Sequence, residues 1–488
     1  MSQELVAYPS VRGARIGRQT RAALPRGSRL PAPVQALMMW KSPFIYLEHC
    51  RERYGGRFTV NATSHPPLVF LSDRDEIGEV LAAPADVLHP GDGAASVKPI
   101  VGDESFMLLD ETAHVVGRRS ILPPLQPGAV AKHAETMREA TQREIASWPR
   151  GVPFALHPRL RALALQTALR TVLGVAEHLG DGRVVELQER LLAMFTVTGS
   201  AVFPEPLLRH GPGRQIWRRF LRERLEIDHL LYELIRRRED GADGGADNVL
   251  DRLLAARNTD GSQMSSKQVR DNLMSIILAG HETTAAQLAW AFQLLAHDPI
   301  AQDTLAGEID SDRGEEYLTA SIREVLRHRP VFLFAIPRTV KQPIDIGGRT
   351  YGPPAQLLGC IYLMHHDARF YPEPQKFRPE RFLQVSPATG AWRPWGGGRK
   401  RCPGLHLATL EMKVVLRTVL TSMTVRPAAR DIERPRWRSV IVTPAAGSRV
   451  VLRRRSKGSD GRRRASHGAE SGTGLGGGVI APVGPRPP

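Results

Sequence analysis

Cys402 stands in the run Pro394-Trp395-Gly396-Gly397-Gly398-Arg399-Lys400-Arg401-Cys402-Pro403-Gly404, ahead of the helix-forming stretch LHLATLEMKVVLRTVLTSM. Three successive glycines let a backbone turn sharply and approach a ligand closely. Pro403 suits a first helical position, which would put Cys402 at a helix N-terminus, where the dipole favours an anion. Arg399, Lys400 and Arg401 add positive charge. Both influences lower a thiol pKa and favour thiolate. A thiolate is a strong donor to haem iron that promotes O–O cleavage, and it is also a nucleophile. The nucleophile reading lacks a base nearby in sequence. A phosphate cradle lacks the P-loop spacing and its Lys-Ser/Thr ending.

A second cluster interrupts a long apolar helix. From Ser265 to His297 the chain reads SSKQVRDNLMSIILAGHETTAAQLAWAFQLLAH. Ser265 or Ser266 can cap its start, and Asp298-Pro299 stops it. About 30 residues at ~1.5 Å each span roughly 45 Å, enough to cross a domain. Val269, Leu273, Ile276, Ile277, Leu288, Phe292 and Leu295 supply core faces. In the middle, Ala279-Gly280-His281-Glu282-Thr283-Thr284 places small and polar residues among apolar ones. Glycine there costs up to ~1 kcal/mol against alanine, and a buried Glu or Thr needs a partner. Two readings fit. One is a satisfied polar cluster in a strained structural helix. The other is a groove where a flat ligand lies against the backbone while Glu282 and Thr283 relay protons.

The elements that must hold these segments are mostly helices. Residues 130–148, 160–175, 184–198, 213–238 and 315–328 have helical spacing or good helix formers. Strand-like pieces occupy 57–62, 67–72 and 439–444, and Tyr351-Gly352-Pro353-Pro354 reads as a turn. Residues 453–488 are rich in Gly, Ser, Pro and Arg without an apolar period and read as a disordered basic tail. Residues 1–27 read as a flexible basic arm, lacking the apolar region of a secretory signal. No apolar run of about 20 residues predicts a membrane-spanning helix. Of the net charge of +17, residues 1–30 carry +5 and residues 453–488 carry +6. Such ends attract polyanions non-specifically, so the charge argues for no specific nucleic-acid partner. The three cysteines, Cys50, Cys360 and Cys402, form no disulfide framework and fit a reducing cytoplasm. Cys50 and Cys360 read as packing or surface residues.

Together these residues resemble the cytochrome P-450 family. Its haem-binding signature runs aromatic, two positions, Gly, one position, a base, one position, Cys, one position, Gly. Trp395, Gly398, Lys400, Cys402 and Gly404 fill those slots. Trp395 replaces the usual Phe, and Lys400 the usual Arg or His, keeping the charge without the planar fork. Ala279-Gly280-His281-Glu282-Thr283-Thr284 fills the family's oxygen-binding pattern without departure. Glu324-Val325-Leu326-Arg327 fits its Glu-x-x-Arg signature. The same spacing recurs elsewhere, as at Glu135/Arg138, so only its place between the long helix and the cysteine loop gives it weight. Phe377-Arg378-Pro379-Glu380-Arg381-Phe382 resembles the Pro-Glu-Arg-Phe element. His114 and Arg118, at i,i+4 spacing, resemble residues of the family's third helix that reach haem propionates, and Arg338 falls where another propionate contact is found.

The resemblance covers roughly residues 28–452 and implies one large domain of the cytochrome P-450 fold, mainly α with small β-sheets. It implies haem b (iron protoporphyrin IX) ligated by Cys402, with Ala279, Gly280, Trp395, Gly398, Lys400 and Gly404 beside it. Glu282 and Thr283 would deliver protons during dioxygen activation. Glu324, Arg327 and Arg381 would form a structural network, and His365-His366 would be structural too. The implied reaction is a monooxygenation. No GxGxxG or flavin region is evident, so electrons from NAD(P)H would arrive through a separate ferredoxin or flavodoxin with its reductase, docking near Arg399, Lys400 and Arg401. Val331, Phe332, Leu333, Phe334, Ala335 and Ile336 carry no polar side chain and would line a pocket for a lipid, terpenoid or polyketide-like substrate. Residues near 86–105, 195–207, 276–283 and 440–442 would add walls. Alternatives are a haem-thiolate peroxygenase, a coupling or desaturating enzyme, a haem sensor, or a basic nucleic-acid binder.

Overall fold

A computed structural model describes residues 24–61, 66–174, 182–200, 213–241, 248–384 and 390–455. In chain order the main elements begin with α1 (Ala32–Lys41), α2 (Pro43–Tyr54), β1 (Arg57–Val60), β2 (Leu68–Leu71), α3 (Arg74–Ala82) and β3 (Leu88–His89). They continue with α4 (Glu111–Ile121), α5 (Ala134–Ala146), β4 (Phe154–Ala155), α6 (His157–Leu173), α7 (Gly182–Ser200), α8 (Arg214–Glu239) and α9 (Val249–Ala255). The long helix is α10 (Ser266–His297), followed by α11 (Pro299–Ser311), α12 (Glu316–His328), β5 (Arg338–Val340), β6 (Ile344–Ile346), β7 (Arg349–Tyr351) and β8 (Gln356–Gly359). After the cysteine loop come α13 (Leu405–Ser422), β9 (Met423–Pro427), β10 (Pro435–Arg438), β11 (Ile441–Pro444) and β12 (Arg449–Arg454).

Helix ends follow local chemistry. Ser265 caps α10 in a capping box: its hydroxyl accepts from the Gln268 N–H, and the Gln268 side chain accepts from the Ser265 N–H. Asp298 ends α10 and starts α11, its carboxylate accepting from the Ala301 N–H with Pro299 at the first position. The continuation into α11 was not expected, because Asp298-Pro299 reads only as a stop. At the cysteine loop α13 begins at Leu405, with Gly404 at its cap. Pro403 is therefore not a first helical residue, and Cys402 sits outside the first turn.

The described strands form four small sheets. The largest has the order β1-β2-β8-β5-β3, with β2 and β8 parallel (Leu68 beside Gln356) and the other pairs antiparallel. Smaller sheets are β4-β12-β9, β10-β11 and β6-β7. The folded body is longer than composition suggests at both ends. Gly27 bridges Thr59, the Thr59 hydroxyl donates to Pro25 O at 2.7 Å, and Leu24 packs against a core cluster. At the other end Arg453 and Arg454 lie in β12, and Arg455 pairs with Asp310. The expected arm and tail thus lose residues 24–27 and 453–455 to the body; their remainder lies outside the described residues.

α10 runs through the centre. α6 packs along it, and α12, α13 and the β10-β11 hairpin also touch it or its neighbours. Trp290 of α10 is fully buried and donates through Nε1 to Val442 O at 3.1 Å, tying the helix to the hairpin. Cys50 and Cys360 are buried in the same core, so both are packing residues.

Candidate active site

One strip of α10 is uncovered. From Val269 to Ala296 every residue is buried except Leu278, Ala279, Gly280 and Thr283. Ala279 and Thr283 are one turn apart and share a face. The Thr283 hydroxyl donates to Ala279 O at 2.6 Å. The nearest atom to a Cβ placed on Gly280 is Ala168 Cβ at 3.5 Å, so the groove edge is made by small residues. This is the geometry of a backbone face open to a flat ligand.

Glu282 points elsewhere. Its Oε2 accepts from Arg161 Nε of α6 at 2.6 Å, and its Oε1 from Arg438 Nε of β10 at 2.6 Å. His281 Nε2 lies 3.4 Å and His157 Nε2 3.8 Å from the carboxylate. Burial works against the charge, but His281, Arg161 and Arg438 outweigh it and hold the carboxyl well below the usual range. Glu282 is thus a fixed anion. No hydrogen bond joins Glu282 to Thr283 among the described residues. His157 is driven down to about 4 by burial, with Arg438 and Arg161 adding to it and Glu282 opposing.

The cysteine loop is shaped by its glycines. Gly398 has φ +62°, and a Cβ there would lie 1.9 Å from Leu81 O of α3. The close approach that requires glycine at position 398 is to the protein's own backbone. Nothing among the described residues lies within 4 Å of a Cβ placed on Gly404. Trp395 packs against the main core, and its carbonyl accepts from the Cys402 N–H at 3.0 Å. Burial pushes the Cys402 thiol up, opposed by the Gly404 N–H and the guanidiniums of Arg118 and Arg401. The net direction is opposite to the sequence expectation. The loop alone does not make a thiolate, whereas a metal cation at the sulfur does.

Beside the loop lies a cleft lined by Leu81, Asp110, His114, Arg338, Arg399 and Lys400. Lys400 turns inward, unlike exposed Arg399 and Arg401, and its ammonium donates to the carbonyls of Phe106 (3.3 Å), Met107 (3.1 Å) and Leu109 (2.6 Å). Burial brings it down to about 8, with Asp110 opposing. The expected outward trio of bases is therefore a pair. His114 is buried, with Nδ1 2.8 Å from Phe106 O and Nε2 3.3 Å from Arg399 O. Burial and the nearby Lys400 charge lower its pKa, and a neutral ring, with one N–H, donates to only one of these two carbonyls. Arg338 is only 5% exposed and makes one long bond, to Ile336 O at 3.4 Å. Burial takes it down to about 10, opposed by Asp110. Arg118, half-buried, forms no hydrogen bond or ion pair with the described residues. A buried guanidinium without a partner anion is costly. Two such guanidiniums, Arg118 and Arg338, beside a cysteine fit a planar ligand that carries two carboxylates, and haem has two propionates.

Behind the loop, Glu324 accepts from Arg327 Nε and Nη2, both at 2.7 Å, and from Arg381 Nε at 3.1 Å. Arg327 also donates to His365 O at 2.9 Å, and the His365 ring Nε2 accepts from the Arg393 N–H at 3.0 Å. Glu324 and Arg327 are fully buried. The chain of bonds runs from α12 to the segment leading into Trp395 and so braces the cysteine loop. His366 Nδ1 pairs with Tyr362 O at 3.0 Å.

The segment after α12 divides. Leu333 is buried in the main core, while Val331 and Phe334 are half-buried against the same core. Phe332 is 39% exposed, and Ala335 and Ile336 are half-buried. Of the additional walls, Phe195 stacks on His281 at 4.3 Å, and residues 201–207 lie outside the described residues.

Sequence reasoning missed Arg161, Arg438 and Asp110. Arg161 carries the one legible signal, a charge inside the apolar run of α6; Arg438 and Asp110 carry none.

The sequence model of the cytochrome P-450 family matches residues 25–451. Cytochrome P-450 135B1 of Mycobacterium bovis is 32% identical over 467 residues, covering 94% of this chain and 98% of that protein. Cytochrome P-450 137 of Mycobacterium tuberculosis is 35% identical over 402 residues, covering 82% and 84%. Among solved structures, retinoic acid bound cyanobacterial CYP120A1 superposes with a TM-score of 0.76 at 20% identity, covering 88% of this chain and 99% of that one. The cytochrome P450DA haem domain gives a TM-score of 0.75 at 19% identity, covering 89% and 98%.

Proposed function

The chain belongs to the cytochrome P-450 family and is a haem-thiolate monooxygenase, and from that premise we propose that it oxygenates a small apolar substrate with electrons from NAD(P)H delivered by a separate ferredoxin or flavodoxin and its reductase. The substrate class is a lipid, terpenoid or polyketide-like molecule. When bound, haem b supplies the activation of dioxygen at a thiolate-ligated iron. Everything else falls to this chain's residues.

Cys402 would supply the sulfur ligand, and Arg118 and Arg338 the guanidiniums that pair with the propionates, while Lys400, its three N–H groups held by the carbonyls of Phe106, Met107 and Leu109, would add positive charge nearby. The observation that carries this reading is the pairing of the uncovered strip at Ala279, Gly280 and Thr283 with unpaired buried cations near the cysteine loop. Small residues on the strip let a flat ring lie close to the helix backbone. Thr283 Oγ1 holds a proton at the edge of the strip, donated to Ala279 O until a better acceptor is near. Glu282, closed by Arg161 and Arg438, keeps its charge and fixes this stretch of α10 against α6 and the β10-β11 hairpin. Phe332, Val331, Phe334, Ala335 and Ile336 favour an apolar substrate and exclude water. Arg399 and Arg401, both exposed, give an acidic electron donor a cationic surface.

Two measurements test this reading. Titrating the haem protein with fatty acids, terpenes and macrolide-like polyketides should shift its spin state for apolar compounds and not for polar ones of similar size. Substrate-dependent NAD(P)H consumption with a ferredoxin and its reductase should yield an oxygenated product. Turnover with peroxide alone, and none with any electron donor, would contradict the electron route.

A further inference from the structure

α1 is built inside out. Its buried residue is Gln35, whose amide donates to Ser28 O at 3.2 Å and Leu30 O at 2.7 Å. The Gln35 carbonyl oxygen accepts from the Tyr46 hydroxyl at 3.3 Å and the Asn61 N–H at 3.1 Å. The outward residues are apolar. Val34, Leu37 and Met38, at i, i+3 and i+4 spacing, are 39%, 54% and 38% exposed, and Trp40 beside them is 44% exposed. Leu30 just before the helix and Ile45 just after it are 46% and 69% exposed. An ordinary surface helix shows the reverse arrangement. Six of the 16 exposed large apolar residues among those described fall between positions 30 and 45, so this is a patch rather than scatter.

The charge that flanks the patch in sequence has one sign. Among the described residues before Glu48 the charged side chains are Arg26, Arg29 and Lys41, all exposed, and there is no acid. An apolar face with a tryptophan, flanking cations and no flanking acid has the composition of a segment that lies in a lipid interface. A second copy of this chain fits poorly, because a symmetric contact would set the same cations against each other.

We propose that α1, with Leu30 and Ile45, attaches this enzyme to an anionic lipid surface. The attachment lies in the plane of the surface; no described helix is long and apolar enough to cross a membrane. It does not depend on which substrate is oxidised.

The test is co-sedimentation of the full-length haem-loaded protein with vesicles of phosphatidylcholine, alone or mixed with phosphatidylglycerol. Partitioning should be at least about tenfold higher on the anionic vesicles and should fall with salt. The double variant Leu37→Ser/Trp40→Ser should partition about tenfold less at unchanged haem content. Ile45→Glu serves as a second variant should the first misfold. Equal weak binding to both vesicle types would overturn the proposal. So would wild-type binding by the variants, which would leave the attraction to the basic arm alone. A dimer that the double variant abolishes, without vesicle binding by either protein, would make the face a contact between copies and overturn it as well.

Discussion

Arg438 of the β10-β11 hairpin donates through Nε to Glu282 of α10 at 2.6 Å, closing from one side a carboxylate that Arg161 closes from the other. Glu282 belongs to the helix segment beside the proposed haem face, and Arg438 ends a strand 156 residues later. The contact joins the hairpin to α10 through charge and makes the acid a fixture of the fold.

Glu282→Gln should therefore act first on stability. It leaves two guanidiniums facing a neutral amide, one of them buried, and should cost about 3–5 kcal/mol. Arg438→Gln should cost less, because Arg438 is partly exposed and Arg161 remains in place. Denaturant midpoints of the two variants give the comparison. Equal small losses would mean that the network is incidental.

Acid should unfold the protein through the same cluster. His157 has a folded pKa of about 4 against an ordinary 6.5, so it stays neutral in the fold and the unfolded chain binds more protons between those values. Stability then rises with pH across that window, and falls on acidification from 6.5 towards 4 by up to about 3 kcal/mol. Glu282, with its pKa depressed, adds stability above the ordinary carboxylate range that is lost as pH falls below it. Urea midpoints at pH 7.5 and 5 should show the loss, and His157→Asn should flatten it. An unchanged slope in the variant would exclude His157 as the source.

Arg338→Met separates folding from cofactor binding by sign. The guanidinium is buried with one weak bond, so its removal should leave the haem-free chain as stable as before, or up to about 2 kcal/mol more stable. Haem affinity should fall by about tenfold or more, since a partner of the propionates is gone. Thermal melts of the haem-free form and haem transfer to apomyoglobin measure the two effects. A variant that loses stability and keeps haem would reverse the assignment.

Thr283→Ala should leave stability nearly unchanged, because its hydroxyl lies on the uncovered strip and bonds only within its own helix. Product formed per NAD(P)H consumed should drop by about a hundredfold, with the electrons diverted to peroxide, if Oγ1 supplies the proton. Thr283→Ser should restore most of it. Full coupling in Thr283→Ala would remove this residue from the proton route.

Much of the fold was legible because its signals are local. The Ser265–Gln268 capping box, the Asp298-Pro299 boundary and the apolar faces of α10 are each written within a few residues. The cysteine loop is local too, and so are both halves of the Glu324–Arg327 pair. What escaped depends on tertiary neighbours. Arg161 and Arg438 meet Glu282 across 121 and 156 positions, and nothing in the spacing predicts that two guanidiniums converge there. Basic residues around Cys402 favour a lowered thiol pKa, but burial, which depends on the whole fold, works in the opposite direction. Lys400 looks like its outward neighbours in sequence, and only the packing of the 106–109 backbone turns it in. α1 misleads differently, since its apolar residues face outward and its glutamine faces in.

The central claim is that Cys402 ligates the haem iron. The carbon monoxide difference spectrum of the reduced protein tests it most directly. The wild type should give the thiolate-type band, and Cys402→Ser should lose that band. A Cys402→Ser protein that still shows the thiolate-type band would contradict the account.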